Sequence, residues 1–218
     1  IELGVPFSDP VADGIVNQLG SQRALDAGTT VRKILEAVKK IREFSQIPIV
    51  LFTYYNPIFS YGVDRFASEA EACGIDGVLV LDLPPEEVES EWNIPDSIRR
   101  ISLIAPTTPL DRIEDICQNS SGFIYYVSRE GVTGMQDSLP PNIEHQMNMI
   151  QEKSQLPICV GFGISSPEQA AAVARFAEGV VVGSAIVHRI GEWGDTPSLP
   201  TQLKEFVKPM VDAINPKT

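Results

Sequence analysis

The chain has 218 residues, 43% of them hydrophobic and 21% charged, with a formal net charge of −12. Those values fit one globular domain over 1–218 with a single sizeable core. The acidic balance argues against a nucleic-acid face, which needs a basic patch or stripe.

The opening stretch, IELGVPFSDPVADG, places a carboxylate, Glu2, in a very short apolar run at 1–4. A turn-rich loop with Pro6, Phe7, Asp9, Pro10, Asp13 and Gly14 follows directly. Further strands are predicted at 48–54 (PIVLFTY), 77–82 (GVLVLD), 101–105 (ISLIA), 123–128 (FIYYVS), 157–162 (PICVGF) and 179–184 (GVVVGS). Several are continuously apolar, which suits strands covered on both faces, as in a parallel sheet. Helix-period segments lie between them at 31–44, 63–73, 143–153 and 167–177, and a final helix spans 199–214. The segment at 167–177 has Ser166 as N-cap, Pro167 at the first helical position and Glu168 in the first turn.

Strand then helix, repeated without a break in composition, describes an α/β architecture. The polar residues that follow strand ends favour a (β/α)8 TIM barrel over an open doubly wound sheet. Seven parallel strands are visible, so the reading is a barrel lacking its first strand and helix. The chain is then expected to be truncated at its N-terminus. Alone it is expected to be unstable or to aggregate, because strand N–H and C=O groups are left unpaired.

The three cysteines, Cys73, Cys117 and Cys159, are widely spaced and odd in number, so a reducing compartment fits better than a disulfide framework. With only His145 and His188, a zinc site has little support. No apolar run approaches the roughly 18 residues of a membrane span.

Alternation turns Glu2 to the opposite side from Ile1 and Leu3. Inside a barrel its carboxyl would be desolvated, its pKa raised and its proton available for acid–base work. Asp13, in a flexible polar stretch, is expected to stay ionised. Two carboxylates with pKa values pushed apart are an acid/base signature. The same pair reads about equally well as an exposed strand-end Glu and a helix-capping Asp. The last two strands end in GFGISS (161–166) and VVGSAIV (181–187), each leading into a helix. Glycines there let backbone N–H groups approach an anion, and the helix dipole favours it. Singly, each Gly reads as a tight turn, and that reading is kept for Gly161 and Gly179. Gly134, Gly163, Gly183 and Ser184 together point to phosphate. GFGISS lacks the third glycine of a dinucleotide fingerprint and comes late in the chain.

ELGVPFSDPVADG, FTYYNPI, SREGVTG, VGFGIS and VVVGSAIV together resemble the tryptophan synthase α subunit family, in order and over essentially the whole chain. The resemblance implies a (β/α)8 barrel and a lyase of tryptophan biosynthesis. It would cleave indole-3-glycerol phosphate into indole and glyceraldehyde 3-phosphate by a retro-aldol reaction. Glu2 matches the acid/base acting at the glycerol hydroxyl and at indole C3, and Asp13 the carboxylate that holds the indole N–H. Tyr125 matches a pocket tyrosine near Glu2, and Thr133 a loop residue that reaches Asp13 on closure. Gly134, Gly163, Gly183 and Ser184 match the phosphate cradle. Phe52, Leu79 and Phe162 would line the apolar slot for the ring, although Phe52 and Leu79 read at least as well as core residues. Pro6, Asp9 and Pro10, with Tyr54 and Asn56, resemble surfaces facing a β subunit in an α2β2 heterotetramer. No cofactor is implied for this chain; pyridoxal phosphate is expected only in the β subunit. The implied location is cytoplasmic, or the plastid stroma in a photosynthetic eukaryote. One departure is DGIVNQ at 13–18, where the family pattern has a Pro after the Gly and an aliphatic residue before the Gln. Ile15 and Asn17 are expected to loosen the loop that holds Asp13. Two alternatives are a non-catalytic α-type partner that activates a β subunit, and another phosphate-binding barrel such as a sugar-phosphate isomerase.

Overall fold

Every strand runs parallel to its neighbour and sits beside the strand that precedes it in the chain. The computed structural model describes residues 1–84, 87, 94–127, 143–161 and 163–215. Within them the strands are β1 (Glu2–Gly4), β2 (Val50–Thr53), β3 (Gly77–Val80), β4 (Arg99–Ile104), β5 (Ile124–Val127), β6 (Ile158–Gly161) and β7 (Gly179–Val181). Their order in the sheet is their order in the chain. A doubly wound sheet reverses direction part-way; this one does not, so it is a barrel wall. Among the described residues, β1 pairs with β2 and β7 with β6.

The helices are α1 (Ile15–Asp26), α2 (Val31–Arg42), α3 (Tyr55–Tyr61), α4 (Val63–Cys73), α5 (Leu110–Gln118), α6 (Ile143–Gln151), α7 (Pro167–Val173), α8 (Ser184–Trp193) and α9 (Leu199–Ile214). Local chemistry explains where several begin and end. Thr30 caps α2 by accepting the Lys33 N–H, and Val31, Ile34, Leu35 and Val38 form its buried stripe. Ser166 caps α7 by accepting the Gln169 N–H, with Pro at the start of the helix. Gly74, at φ 85°, ends α4 in the left-handed conformation that glycine adopts without strain.

Strand alternation divides the apolar side chains between two layers. Ile49, Leu51 and Val78 pack outward in a cluster with α2 and α4, whereas Ile124, Tyr126, Ile158 and Val160 pack outward with α5, α6 and α7. Val50, Leu79 and Ile101 turn the other way and form a smaller inner cluster, joined by Phe52, Leu103 and Tyr125. Arg42 ties the end of α2 to the sheet. Its guanidinium donates to Gly74 O at 2.7 Å and to Asp76 Oδ2 at 2.6 Å, and the same Asp76 oxygen accepts the Ile49 N–H at 2.7 Å.

Candidate active site

Glu2 is the first residue of β1, in register with Val50 of β2, whose side chain belongs to the inner cluster. Burial pushes the Glu2 carboxyl up to about 7, with the Ile1 amine pulling the other way. Its charge is felt by two residues on distant strands. Burial first, and then Glu2, raise the Tyr125 phenol well above its ordinary range. The Cys159 thiol is pushed up to about 11 by burial, with Glu2 and Glu178 adding to it. The interior thus brings β1, β5 and β6 to one place.

Two glycines make that possible. A Cβ on Gly161 would fall inside the Tyr125 hydroxyl, and one on Gly179 would lie 2.5 Å from Cys159 Sγ. Neither glycine belongs to a tight turn, contrary to expectation. They are the last residue of β6 and the first of β7, and they leave the room that Tyr125 and Cys159 occupy. Strand alternation, two residues before Gly161, is the sequence signal that puts Cys159 on the same face as that glycine.

Asp13 differs from the expectation of a flexible polar stretch. It is 6% exposed and held from several sides. The Tyr54 hydroxyl donates to Asp13 Oδ2 at 3.1 Å and accepts the Ala12 N–H at 3.0 Å. Asn17 Nδ2 donates to Asp13 Oδ1 at 3.3 Å, and Gln18 Nε2 donates to the Asp13 carbonyl at 2.7 Å. Burial lifts the Asp13 pKa above its ordinary value, where an ordinary ionised carboxylate was expected, and the Tyr54 and Asn17 hydrogen bonds only limit the rise. Asn17 therefore ties the loop to α1 rather than loosening it.

Tyr54, expected on a partner-facing surface, is 3% exposed and packs tilted against the Phe7 ring, with centroids 5.3 Å apart. Its place is behind Asp13. Of the other residues expected to face a partner, Asp9 and Asn56 are exposed and Pro6 and Pro10 half-buried. Phe52 and Leu79 meet in the inner cluster with Tyr125; Leu79 is 1% exposed and Phe52 half-buried.

Gly163 and Gly183 each lie two residues beyond the ladder pair Gly161 and Val181, so they leave adjacent strands side by side. Gly163 has φ 75°, which only glycine adopts freely. Gly183 precedes α8, a Cβ there would meet open space, and Ser184 opens the helix 7% exposed. Thr133, Gly134 and Phe162 lie outside the described residues.

A parallel barrel wall with a near-neutral carboxyl inside it and a second, hydrogen-bonded carboxylate on the following loop defines an acid–base enzyme of the barrel class. The family model for the tryptophan synthase alpha chain matches residues 1–215. A tryptophan synthase alpha chain from Opitutus terrae is 50% identical over 194 residues, covering 88% of this chain and 73% of its own length. Another, from Geotalea daltonii, is 51% identical over 209 residues, covering 95% and 79%. The solved alpha subunit from Legionella pneumophila superposes with a TM-score of 0.86 at 37% identity, over 98% of this chain and 80% of that one. A chain from the tryptophan synthase α2β2 complex of Pyrococcus furiosus gives 0.88 at 40% identity, over 97% and 86%. The protein belongs to the tryptophan synthase alpha chain family.

Proposed function

We propose that Glu2 and Asp13 divide the work of a retro-aldol cleavage. As a tryptophan synthase alpha chain, the protein is a lyase that splits indole-3-glycerol phosphate into indole and glyceraldehyde 3-phosphate in tryptophan biosynthesis. The observation that carries the division of roles is the Glu2 carboxyl, set in the interior with its pKa raised to about 7. Such a group is protonated often enough to act as an acid and basic enough to take a proton back.

The chemistry needs both actions. Indole C3 must gain a proton, which makes the ring an electron sink. The hydroxyl on the adjacent side-chain carbon must lose one as the carbon–carbon bond breaks and the aldehyde forms. The bonding pair flows into the ring and restores indole. One proton is given and one returned, so Glu2 ends as it began. Positive charge that develops at the ring N–H falls to Asp13, whose carboxylate is already oriented by Tyr54 and Asn17.

The paired loops at Gly163 and Gly183, with Ser184 at the start of α8, suit the substrate phosphate. Phe52, half-buried in the inner cluster, suits the apolar ring, whereas Leu79, 1% exposed, takes the core role instead. The reaction uses the ring itself as the sink, so no cofactor is assigned to this chain; pyridoxal phosphate would belong to a β subunit. Asp9, exposed in the loop after β1, and Asn56, exposed in the first turn of α3, are assigned to the face that meets that subunit. Three cysteines without disulfides accord with a cytoplasmic location.

Indole release from indole-3-glycerol phosphate tests the assignment, with and without a β subunit. Glu2→Gln and Asp13→Asn are each expected to lower the rate roughly 10²- to 10⁴-fold in folded protein. A Glu2→Gln variant that keeps the parent rate would overturn it.

A further inference from the structure

We propose that Asn17 is a positioning residue for the reaction, one that fixes the plane of the Asp13 carboxylate and favours its ionised form. The inference rests on the role given above to Asp13, and it concerns a residue at which the sequence departs from the pattern it resembles.

The geometry is that of a two-sided clamp. From the first turn of α1, Asn17 Nδ2 donates to Oδ1 at 3.3 Å, and from the end of β2 the Tyr54 hydroxyl donates to Oδ2 at 3.1 Å. Rotation of the carboxylate about its own axis breaks at least one of these bonds. The next residue, Gln18, holds the main-chain carbonyl of Asp13 at 2.7 Å. Consecutive side chains of one helix turn therefore fix the backbone and the carboxylate of the same residue. An aliphatic side chain at position 17 supplies no donor.

The electrostatics give the clamp a purpose. A carboxylate on a residue only 6% exposed loses hydration, which disfavours its charged form. Burial outweighs the hydrogen bonds from Tyr54 and Asn17, so the Asp13 pKa lies above its ordinary value and those two bonds limit the rise. Tyr54 is the titratable group that touches it. Burial and the charges of Asp13 and Asp82 keep the Tyr54 phenol well above its ordinary range, so it remains a neutral donor. To take the ring N–H, Asp13 must be ionised and aimed. Asn17 does not touch the reacting atoms and acts only through Asp13.

The test uses the full chain with its β subunit and two variants of similar size, Asn17→Leu and Asn17→Asp. The acid limb of the kcat profile and the Asp13 pKa, from ¹³C-carboxyl NMR, are read together. For Asn17→Leu both are expected to rise by about one pH unit, and for Asn17→Asp further, because a like charge is added. The alkaline limb, which Glu2 sets, stays in place, so the pH optimum narrows and the maximal rate falls several-fold with KM little changed. A merely structural role would not move the limb. An Asp13 pKa that stays at the parent value in both variants, with folded protein, would overturn the proposal. A shifted Asp13 pKa with an unmoved rate profile would uphold the hold by Asn17 and sink the catalytic role given to Asp13.

Discussion

Glu2 and Asp13 are both carboxylates in protected places, yet their surroundings act on them differently. Glu2 is influenced mainly by burial, and its pKa reaches about 7. Asp13 is raised by burial as well, but two donors to its carboxylate limit the rise. That difference suits one to carry a proton and the other a negative charge. It also makes Glu2 a source of instability. In the unfolded chain the carboxyl titrates near its ordinary value of 4.5, and in the fold near 7. Below about 4.5 both states are protonated and nothing is lost. As pH rises from there to 7 the unfolded state releases its proton first, so stability falls, by about 3 kcal/mol in all. Glu2→Gln removes the titration. The variant should gain about that much over the parent at pH 8, and the gain should shrink toward zero as pH approaches 4.5. Urea unfolding across the range checks this. A gain that is constant with pH would trace the effect to packing rather than to the proton.

At the scale of elements, the strands were legible because a barrel wall buries both faces, leaving continuous apolar runs such as GVLVLD. Helices α2, α4, α6, α7 and α9 were legible from their periodicity. Helix α1 was not, because it buries no residue and leaves Ile15 and Leu19 65% and 51% exposed. It is held instead by contacts far away in the chain: Gly20 lies close under Val187 of α8, and Arg23 reaches the Val187 carbonyl at 3.5 Å. The site divides the same way. Alternation within one strand was enough to aim Glu2. The burial of Asp13 depends on Tyr54, 41 residues later, and no local pattern carries that. Gly161 and Gly179 read as turns from the sequence, because a glycine in an apolar run looks the same whether it turns the chain or makes room. Gly179 offers a clean test. A Cβ there would lie 2.5 Å from Cys159 Sγ, so Gly179→Ala should cost about 1–3 kcal/mol. Removing the sulfur removes the clash, so Gly179→Ala in a Cys159→Ala background should cost less than about 1 kcal/mol. A double-mutant cycle in urea measures the difference. Equal costs in both backgrounds would place the strain elsewhere.

For the molecule as a whole, the governing quantity is charge. Its 29 acidic residues outnumber the 17 lysines and arginines, giving −12. Pairs such as Lys153–Glu114 and Lys208–Asp212 are exposed, and they leave the excess negative charge in place. The proposed substrate is itself an anion, so it approaches against the mean field, and the contacts proposed for its phosphate, backbone N–H groups and the start of α8, act only at short range. Salt acts on the two contributions unequally. Between about 0.01 M and 0.15 M ionic strength the screening length falls from about 30 Å to about 8 Å. That removes most of the long-range repulsion while leaving contacts at hydrogen-bonding distance nearly intact. Raising sodium chloride over this range should therefore increase kcat/KM for indole-3-glycerol phosphate roughly twofold to fivefold, with kcat unchanged. The opposite sign is the usual one for enzymes that steer a charged substrate inward. A kcat/KM that falls with salt would show that cations near the mouth of the site outweigh the field of the whole chain.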